Sequence, residues 1–389
     1  MQIVEVNTAA LEKHFLEINV TLQKGNPNYI RPLDNEVKDV FNPANNKSFK
    51  YGEAKRWLLL DNGKYIGRIA AFISKKYINK GTDYITGGVG FFDCIQNQSA
   101  ANLLFDTAKE WLISKGAEAM DGLINFGDRD KWWGVMLEGF DKPPMYGMSY
   151  NPPYYKDLLE EYGFKNYYNQ YYYSMVIDDP FPEKIHARHE KFKTKPDYTA
   201  RHVSLNTIDK YAKDFATVYN AAWAQHGEAK EISEADVLKL FLKLKPILDP
   251  RLVWFAYYKE EPIAMFINIP DLNEYFKNFN GKLGIVQKLR LLWMKKTGYC
   301  KKATGLAFGV VPKFQALGVD SFIIKECGLL IQGKGWYNEY EMGWAGEWNP
   351  KMLNIYKGLG KQSRVMATYR YIFNEEKHPF ERHPIMEYK

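Results

Sequence analysis

The chain has 389 residues, of which 46% are hydrophobic and 25% are charged. This composition is ordinary for a globular protein with a sizeable core, and the length suits two domains better than one. No stretch approaches the roughly 18 apolar residues of a membrane span, and the three cysteines show no CxxC spacing. These features argue against a membrane span, a disulfide framework and a zinc knuckle. We expect a cytoplasmic protein without a signal peptide or a bound metal.

The positive charge lies in the second half of the chain. The net charge of +7 divides into −3 for residues 1–180, with 20 basic and 23 acidic residues, and +10 for residues 181–389, with 33 and 23. A basic half beside a mildly acidic one indicates that an anionic partner binds the second half. A phosphorylated cofactor and an anionic lipid surface fit this pattern. The many acidic residues in the same half argue against nucleic acid.

The first half shows a clear order of secondary structure. A β-hairpin is predicted over residues 56–72, because its centre reads Asp-Asn-Gly, the sequence of a tight turn. A strand over 84–95 and a helix over 99–115 follow, and a further strand and helix end at Gly163. The segment 125–148, rich in Gly, Pro and Trp, is an insertion into this order.

The second half repeats this order. A hairpin over 251–269 precedes a strand over 305–311 and a helix over 319–332. A strand over 337–344 and a helix over 350–360 complete the unit.

The two units have the same length. The hairpin turn and the last glycine are 100 residues apart in both, at Gly63 and Gly163 and at Glu260 and Gly360. We therefore predict an α/β protein with mixed sheets, built from two tandem copies of one unit. The predicted domains are residues 1–178 and 198–389, joined by a charged, proline-containing linker over 179–197.

The junction between strand 305–311 and helix 319–332 carries the strongest functional signal. The strand ends at Pro312, and a short loop containing Gly318 leads into the helix. The first N–H groups of a helix have no partner within it and lie at the positive end of the helix dipole. The loop therefore predicts a site for an anion such as pyrophosphate, although the same arrangement also occurs without any ligand.

The order and the loop together resemble the GNAT superfamily of acyl-CoA N-acyltransferases in its tandem-domain form. The donor loop of that family reads Gln/Arg-x-x-Gly-x-Gly/Ala; Gln315 and Gly318 match it, and Asp320 departs from it. The family's later pattern of an Asn and a helical Tyr matches Asn349 and Tyr356, the latter four residues before a glycine. The resemblance implies two tandem GNAT-like folds that use acetyl-CoA or a longer acyl-CoA as co-substrate.

The resemblance also implies roles for individual residues. The backbone N–H of Val310 or Val311 would stabilise the oxyanion, and Tyr356 would protonate the departing thiolate. Glu347 and Glu341 are alternatives for the base that takes the acceptor's proton. Each of these side chains also has an explanation without a catalytic role. The tyrosine would be a packed helix residue, and the glutamates would be solvated charges at a strand edge. The expected donor-binding residues are Val310, Val311, Gln315, Ala316, Leu317, Gly318, Val319 and Asn349.

The first half lacks the donor pattern. Its loop over 95–100 contains no glycine, and Leu159 occupies the place of the candidate tyrosine. We expect this half to be degenerate and to close the acceptor cleft through Trp132, Trp133 and the segment 145–155.

A narrower resemblance, to a subfamily of bacterial two-domain GNAT-like proteins, spans nearly the whole chain. Some of these proteins resemble bacterial GNAT-type ceramide synthases, which implies a long-chain amine acceptor. Asp320 is usual in the subfamily, whereas residues 224–228 depart from its tryptophan-glycine stretch. The matching segments are residues 139–144, 150–155, 219–223, 270–274, 312–320 and 344–349.

The sequence therefore predicts an N-acyltransferase that moves an acyl group from CoA to an amine, small or lipid-like. One alternative is a catalytically silent GNAT fold that binds a lipid or acyl chain. Another is a Fem-type aminoacyl transferase, also two GNAT-like units, which the loop from Gln315 to Gly318 disfavours.

The segment 275–302 is a basic insertion, with eight basic residues and no acidic one. Ile285, Leu289, Leu292 and Trp293 fall at helical spacing within it. We expect a cap that packs this apolar stripe on the domain, because most amphipathic helices cover a core. The alternative is peripheral contact with a membrane surface.

Overall fold

The structure is a computed structural model that describes residues 1–77, 82–127, 129–223 and 231–386. Its strands are β1 (Gln2–Glu5), β2 (Gly52–Asp61), β3 (Lys64–Ser74), β4 (Thr86–Cys94), β5 (Ala119–Gly122), β6 (Val135–Glu138), β7 (Lys165–Val176), β8 (Tyr198–His202), β9 (Val253–Tyr258), β10 (Glu261–Pro270), β11 (Lys302–Val310), β12 (Glu339–Glu341), β13 (Ala345–Gly346) and β14 (Lys361–Ile372). Its α-helices are α1 (Ala9–Leu22), α2 (Asp34–Val40), α3 (Gln98–Ser114), α4 (Tyr155–Tyr162), α5 (Glu183–Lys193), α6 (Ile208–Trp223), α7 (Glu234–Leu244), α8 (Leu272–Phe276), α9 (Ile285–Lys296), α10 (Val319–Ile331) and α11 (Pro350–Leu359).

The strands form one mixed sheet in the order β1-β2-β3-β4-β5-β14-β7-β12-β11-β10-β9-β8, with β6 and β13 attached to β14 and β7. The two halves exchange strands at its centre. The last strand of the chain, β14, pairs with β5, and β7 of the first half pairs with β12. Strands β14 and β7 also pair with each other along most of their length. The predicted mixed α/β class and the repeated unit are confirmed.

Both predicted hairpins are present. The turn between β2 and β3 places Asn62 and Gly63 at positive φ, and the turn between β9 and β10 does the same with Lys259 and Glu260. Two successive residues at positive φ give the backbone the right-handed twist that joins adjacent antiparallel strands. Asn-Gly adopts this conformation readily, so the first hairpin was the easier one to predict.

Each half has a parallel strand pair connected by a helix. Strand β4 leads through α3 to the parallel strand β5, and β11 leads through α10 to the parallel strand β12. Helix α3 buries Leu104 and Phe105 completely against the first half of the sheet, and α10 does the same with Val319 and Ile323. Two of the hydrophobic clusters are therefore equivalent, one beneath each connecting helix.

The stretch predicted as a linker is not irregular. Residues 183–193 form α5, and its buried Phe192 stacks on Phe322 of α10 with ring centroids 5.1 Å apart. The sequence shows too few apolar residues here to reveal a packed helix, because only one narrow face is buried. The domain limits at 178 and 198 remain a proposal, and the strand exchange means that they do not divide the sheet.

The basic insertion forms α8 and α9, and its apolar stripe is exposed. Ile285, Leu289, Leu292 and Trp293 are each more than half exposed, so the expectation that they pack on the domain is wrong. Among the helices that the structure describes, none is long and apolar enough to cross a membrane. The departure from the subfamily pattern at residues 224–228 lies outside the described residues.

Candidate functional site

A gap opens between β11 and the chain that follows β12. The two strands pair only from Lys302 with Glu339 to Thr304 with Glu341. Beyond this point the second strand follows β7 of the first half instead, since the N–H of Met342 donates to the carbonyl of Tyr173 at 2.7 Å and Ala345 pairs with Tyr171. Among the described residues, no strand pairs with the remaining half of β11, up to Val310, on that side.

Two glycines mark where the strands part. A β carbon on Gly343 would lie 2.7 Å from the carbonyl oxygen of Gly305, and one on Gly305 would lie 2.7 Å from the hydroxyl of Tyr340. A side chain at either position would therefore push the strands apart earlier. Leu306, the next residue of β11, is 53% exposed although it lies in the middle of a strand, so the gap is open to solvent.

The backbone of Val310 faces this gap. The N–H of Val311 donates to the carbonyl of Ile263 at 2.9 Å, while Val310 lies opposite Ala264. Because the pairing of antiparallel strands alternates, the N–H of Val310 points away from β10 and towards the gap. Of the two predicted oxyanion donors, the N–H of Val310 is directed towards the gap, whereas that of Val311 is used by the sheet. The carbonyl of Val310 accepts a hydrogen bond from Nε2 of Gln315 at 3.0 Å.

The predicted donor loop ends at a helix terminus whose N-cap residue has no side chain. A 3-10 turn over Pro312–Phe314 leads to Ala316 and Gly318, with φ of 62° and 97°. Gly318 is the N-cap of α10, so no side chain caps the first N–H groups of the helix. Leu317 is 54% exposed, and Val319, the first helical residue, is buried beneath the loop. The loop has the local geometry that an anion site needs.

Helix α5 brings a cation to this loop. Nη1 of Arg188 lies 3.4 Å from the carboxylate of Asp320 and 3.3 Å from the hydroxyl of Ser321. The aliphatic carbons of Arg188 would lie 3.5 Å from a β carbon on Gly318, so its side chain passes over the loop. The arginine compensates the charge of Asp320, the residue that departs from the family pattern. Arg188 was not among the predicted site residues.

Tyr356 lies at the point where the strands part. Its ring is 5.9 Å from that of Tyr173 on β7, and its hydroxyl is 4.0 Å from the position of a β carbon on Gly343. Burial raises the pKa of Tyr356, so the hydroxyl keeps its proton at neutral pH. Helix α11 holds this tyrosine and is capped by Asn349, whose Oδ1 accepts from the N–H of Met352 at 3.1 Å. The predicted donor-binding residue Asn349 is therefore a helix cap.

The two candidate bases differ in their surroundings. Glu341 is fully buried, 3.1 Å from Nζ of Lys302 and 3.3 Å from Nε of Arg364, and it also accepts from Ser363. Burial opposes ionisation of Glu341, but Lys302 and Arg364 outweigh it and lower the pKa of the carboxyl group. A carboxylate held by two cations is a weak proton acceptor. Glu347 is partly exposed and forms an ion pair with Arg382, at 2.5 Å.

The equivalent place in the first half is filled. Cys94 ends β4 as Val310 ends β11, but its N–H donates to the hydroxyl of Tyr155 at 3.0 Å and its carbonyl accepts from Tyr154 at 2.8 Å. The helix that follows is capped by Asn97, whose side chain accepts from the N–H of Ala100. Backbone and helix terminus are thus both occupied by the protein's own side chains.

The residues predicted to close an acceptor cleft pack within the first half or against the insertion. Trp133 is buried and donates to the hydroxyl of Tyr168 at 2.8 Å, and Trp132 packs on Phe91. In the segment 145–155, the N–H of Tyr146 donates to the carboxylate of Asp271 at the start of α8. This segment therefore joins the first half to the basic insertion.

Two curated proteins are similar in sequence to this chain along nearly its whole length. No family model matches the chain. A bacterial ceramide synthase of Caulobacter vibrioides (strain NA1000 / CB15N) is 28% identical over 374 residues, covering 95% of this chain and 96% of that protein. Protein YghO of Escherichia coli (strain K12) is 24% identical over 358 residues, covering 90% of each.

Solved structures show the same fold. A tandem GNAT protein from the clavulanic acid biosynthesis pathway superposes with a TM-score of 0.54 at 9% identity, covering 96% of this chain and 98% of that one. A GCN5-related glucosamine N-acetyltransferase region of a fungal multi-domain β-N-acetylglucosaminidase gives a TM-score of 0.55 at 13% identity, over 95% of this chain and 38% of that one. The protein has the tandem GNAT fold, and the resemblance read from its sequence is confirmed.

Proposed function

We propose that the protein is an acyl-CoA-dependent N-acyltransferase whose donor site is the gap beside β11. The contrast between the two halves carries the proposal. In the first half the backbone of Cys94 is sealed by two tyrosines, whereas in the second half the gap at Val310 is open and ends at the uncapped terminus of α10. An open strand edge that leads to free N–H groups suits an elongated ligand with an anionic end.

The pyrophosphate of CoA would lie against the first N–H groups of α10. Gly318 has no side chain to cap these groups, and the guanidinium of Arg188 adds a positive charge beside them. The thioester would then extend along β11, with its carbonyl oxygen towards the N–H of Val310. This N–H is fixed by the sheet and would stabilise the oxyanion without reorganisation.

The amine nitrogen would attack the thioester carbon, and the C–S bond would break to give an amide and CoA. Glu347 would take the proton from the ammonium form of the acceptor, and Tyr356 would give a proton to the thiolate. Glu341 is assigned a structural role, because its two cationic partners make it a poorer base than Glu347.

The acceptor is proposed to be a long-chain amine. The support is the relative from Caulobacter vibrioides, named a bacterial ceramide synthase, whose similarity covers 95% of this chain. Such an acceptor carries its amine beside an alkyl chain, which the partly apolar surface around Leu306 would accommodate.

The test is a matrix of acyl donors and amines. Acetyl-CoA and a long-chain acyl-CoA are each incubated with a long-chain amino alcohol and with a short amine of the same head group, and the amide is measured by mass spectrometry. We expect amide only with the long-chain acceptor. Donor binding without any amide would support the silent acyl-binding protein instead, and the absence of binding to every donor would overturn the proposal.

A further inference from the structure

The most exposed apolar surface of the described chain lies on α9. Ile285 is 79% exposed, Val286 73%, Leu289 63%, Leu292 53% and Trp293 62%. These residues recur at three- and four-residue intervals, so they form one stripe along the helix. Exposed apolar residues are common singly, but five on one short helix mark an interaction surface.

The opposite side of α9 is fixed to the domain. Met294 is buried in a cluster with Leu272, Phe276 and Cys300, and Leu291 packs against it. Nζ of Lys295 also donates to the carbonyls of Pro246 and Leu248, at 2.8 and 3.1 Å. Since this side already holds the helix, the exposed stripe is presented by a rigid support.

Basic residues surround the stripe. Lys282, Lys288, Arg290 and Lys296 are all exposed, and none of them forms an ion pair with another described residue. No acidic residue occurs between Tyr275 and Lys302. An apolar stripe with tryptophan at its edge and cations on its flanks is typical of a helix that lies in the interface of an anionic bilayer. A second copy of the chain would bring the same cations together and is disfavoured.

We infer that α9 is a docking surface for anionic lipid, a property beyond the proposed acyl transfer and independent of it. The apolar stripe would enter the boundary between head groups and acyl chains, while the flanking lysines and Arg290 contact lipid phosphates. Helix α9 precedes β11, whose nine residues span about 30 Å. Docking would place the membrane near one end of the gap beside β11, with the donor loop at the other end.

The test is sedimentation of the full chain with two kinds of vesicle. One kind contains phosphatidylcholine alone, and the other also contains about 30% phosphatidylglycerol. We expect pelleting with the anionic vesicles at low salt, little with neutral vesicles, and loss of binding at high salt. Leu289→Gln with Trp293→Gln replaces two of the five apolar residues of the stripe and is expected to weaken binding at least tenfold. Lys288→Gln with Arg290→Gln is expected to weaken it by about fivefold for each charge.

A matched control substitutes exposed leucines elsewhere. Leu240→Gln with Leu242→Gln, on α7, changes residues that are 43% and 49% exposed, and it is expected to leave binding unchanged. Equal pelleting of all variants, or no pelleting of the wild type, would overturn the inference. It would also be overturned by a wild-type dimer that only the α9 variants convert to a monomer, since the stripe would then bind a second copy. CoA binding is measured in parallel and is expected to survive in every variant.

Discussion

The guanidinium of Arg188 lies 3.4 Å from the carboxylate of Asp320 and joins α5 to the first turn of α10. The pair explains how a carboxylate is tolerated beside a candidate phosphate site, because the arginine compensates its charge. Both side chains are partly exposed, at 34% and 20%, so the pair itself contributes little to stability. Its importance would lie in the electrostatics of the donor loop.

We predict that Arg188→Gln weakens CoA binding about tenfold or more. The substitution removes a cation and leaves Asp320 uncompensated beside the pyrophosphate, and a charge-assisted contact contributes roughly 1.5–3 kcal/mol. Isothermal titration with CoA is the measurement. Asp320→Asn should restore part of the affinity in the double variant, and Lys184→Gln, an exposed cation on the same helix, should have no effect. Equal affinity of Arg188→Gln and the wild type would contradict this placement of the pyrophosphate.

Gly318→Asp is expected to abolish CoA binding while the fold persists. The new side chain would stand in front of the helix terminus and bring a second carboxylate to it. The substitution also costs about 1 kcal/mol of stability, because Gly318 has φ of 97°. Gly333→Asp is the matched control, since that glycine also has positive φ but nothing within 4 Å of a β carbon. It should lower the melting temperature similarly and leave CoA binding intact.

Tyr356→Phe should lower kcat by about tenfold to a hundredfold with little change in CoA affinity. A proton donor acts only when the thiolate departs, so its loss affects the transition state more than the bound donor. Tyr171→Phe, on β7, provides a control for loss of a tyrosine hydroxyl. Steady-state kinetics separates the two parameters, and an unchanged kcat for Tyr356→Phe would leave no role for this hydroxyl as the acid.

Arg364→Met is predicted to destabilise the protein by about 3–5 kcal/mol, measured by urea unfolding. Arg364 is fully buried, pairs with Glu341 and donates to the carbonyls of Gly139, Lys142 and Pro143. Its loss would leave three carbonyls without their partner and would remove one of the two cations that hold the buried carboxylate of Glu341. Arg382→Met removes an exposed arginine instead and should cost less than about 1 kcal/mol. Similar unfolding curves for the two variants would show that the buried cluster is not important for stability.

The pH dependence of protein stability should reveal the raised pKa of the Asp271 carboxyl group. Burial raises the pKa of its carboxyl group from 3.8 to about 6. The protonated carboxyl group of Asp271 therefore contributes its full stabilisation below pH 3.8. This contribution, up to about 3 kcal/mol, is lost as the pH rises through 6. Asp271→Asn keeps an oxygen that accepts from the N–H groups of Tyr146 and Asn273. The difference in stability between the variant and the wild type should therefore favour the variant more at pH 8 than at pH 4.5.

Thermal melts at several pH values measure this difference. Asp249→Asn is the opposite control, because hydrogen bonds from Arg251 and Tyr337 outweigh burial and lower the pKa of Asp249. That variant should lose about the same stability at pH 8 as at pH 4.5, and less only when the pH falls below 3.8. A pH-independent difference between Asp271→Asn and the wild type would contradict the raised pKa.

The sequence by itself determined the repeated unit and the glycine-containing loop that precedes α10. Turn residues such as Asn62 and Gly63, and the single glycine before α10, act through local backbone conformation, which neighbouring residues decide. Tyr356 could be singled out for a similar reason, since its spacing from Gly360 is a property of one helix. These predictions needed no knowledge of distant contacts.

Only the tertiary structure decided the rest, because it depends on residues far apart in the chain. The gap beside β11 exists because the chain after β12 follows β7, which belongs to the other half. Arg188 meets Asp320 only when α5 packs on α10, and no local pattern distinguishes it from other cations of a charged stretch. The apolar residues of α9 have the spacing that a buried helix face would also have, so their spacing could not predict that they are exposed. Spacing defines a face of a helix, but the rest of the fold determines whether that face is covered.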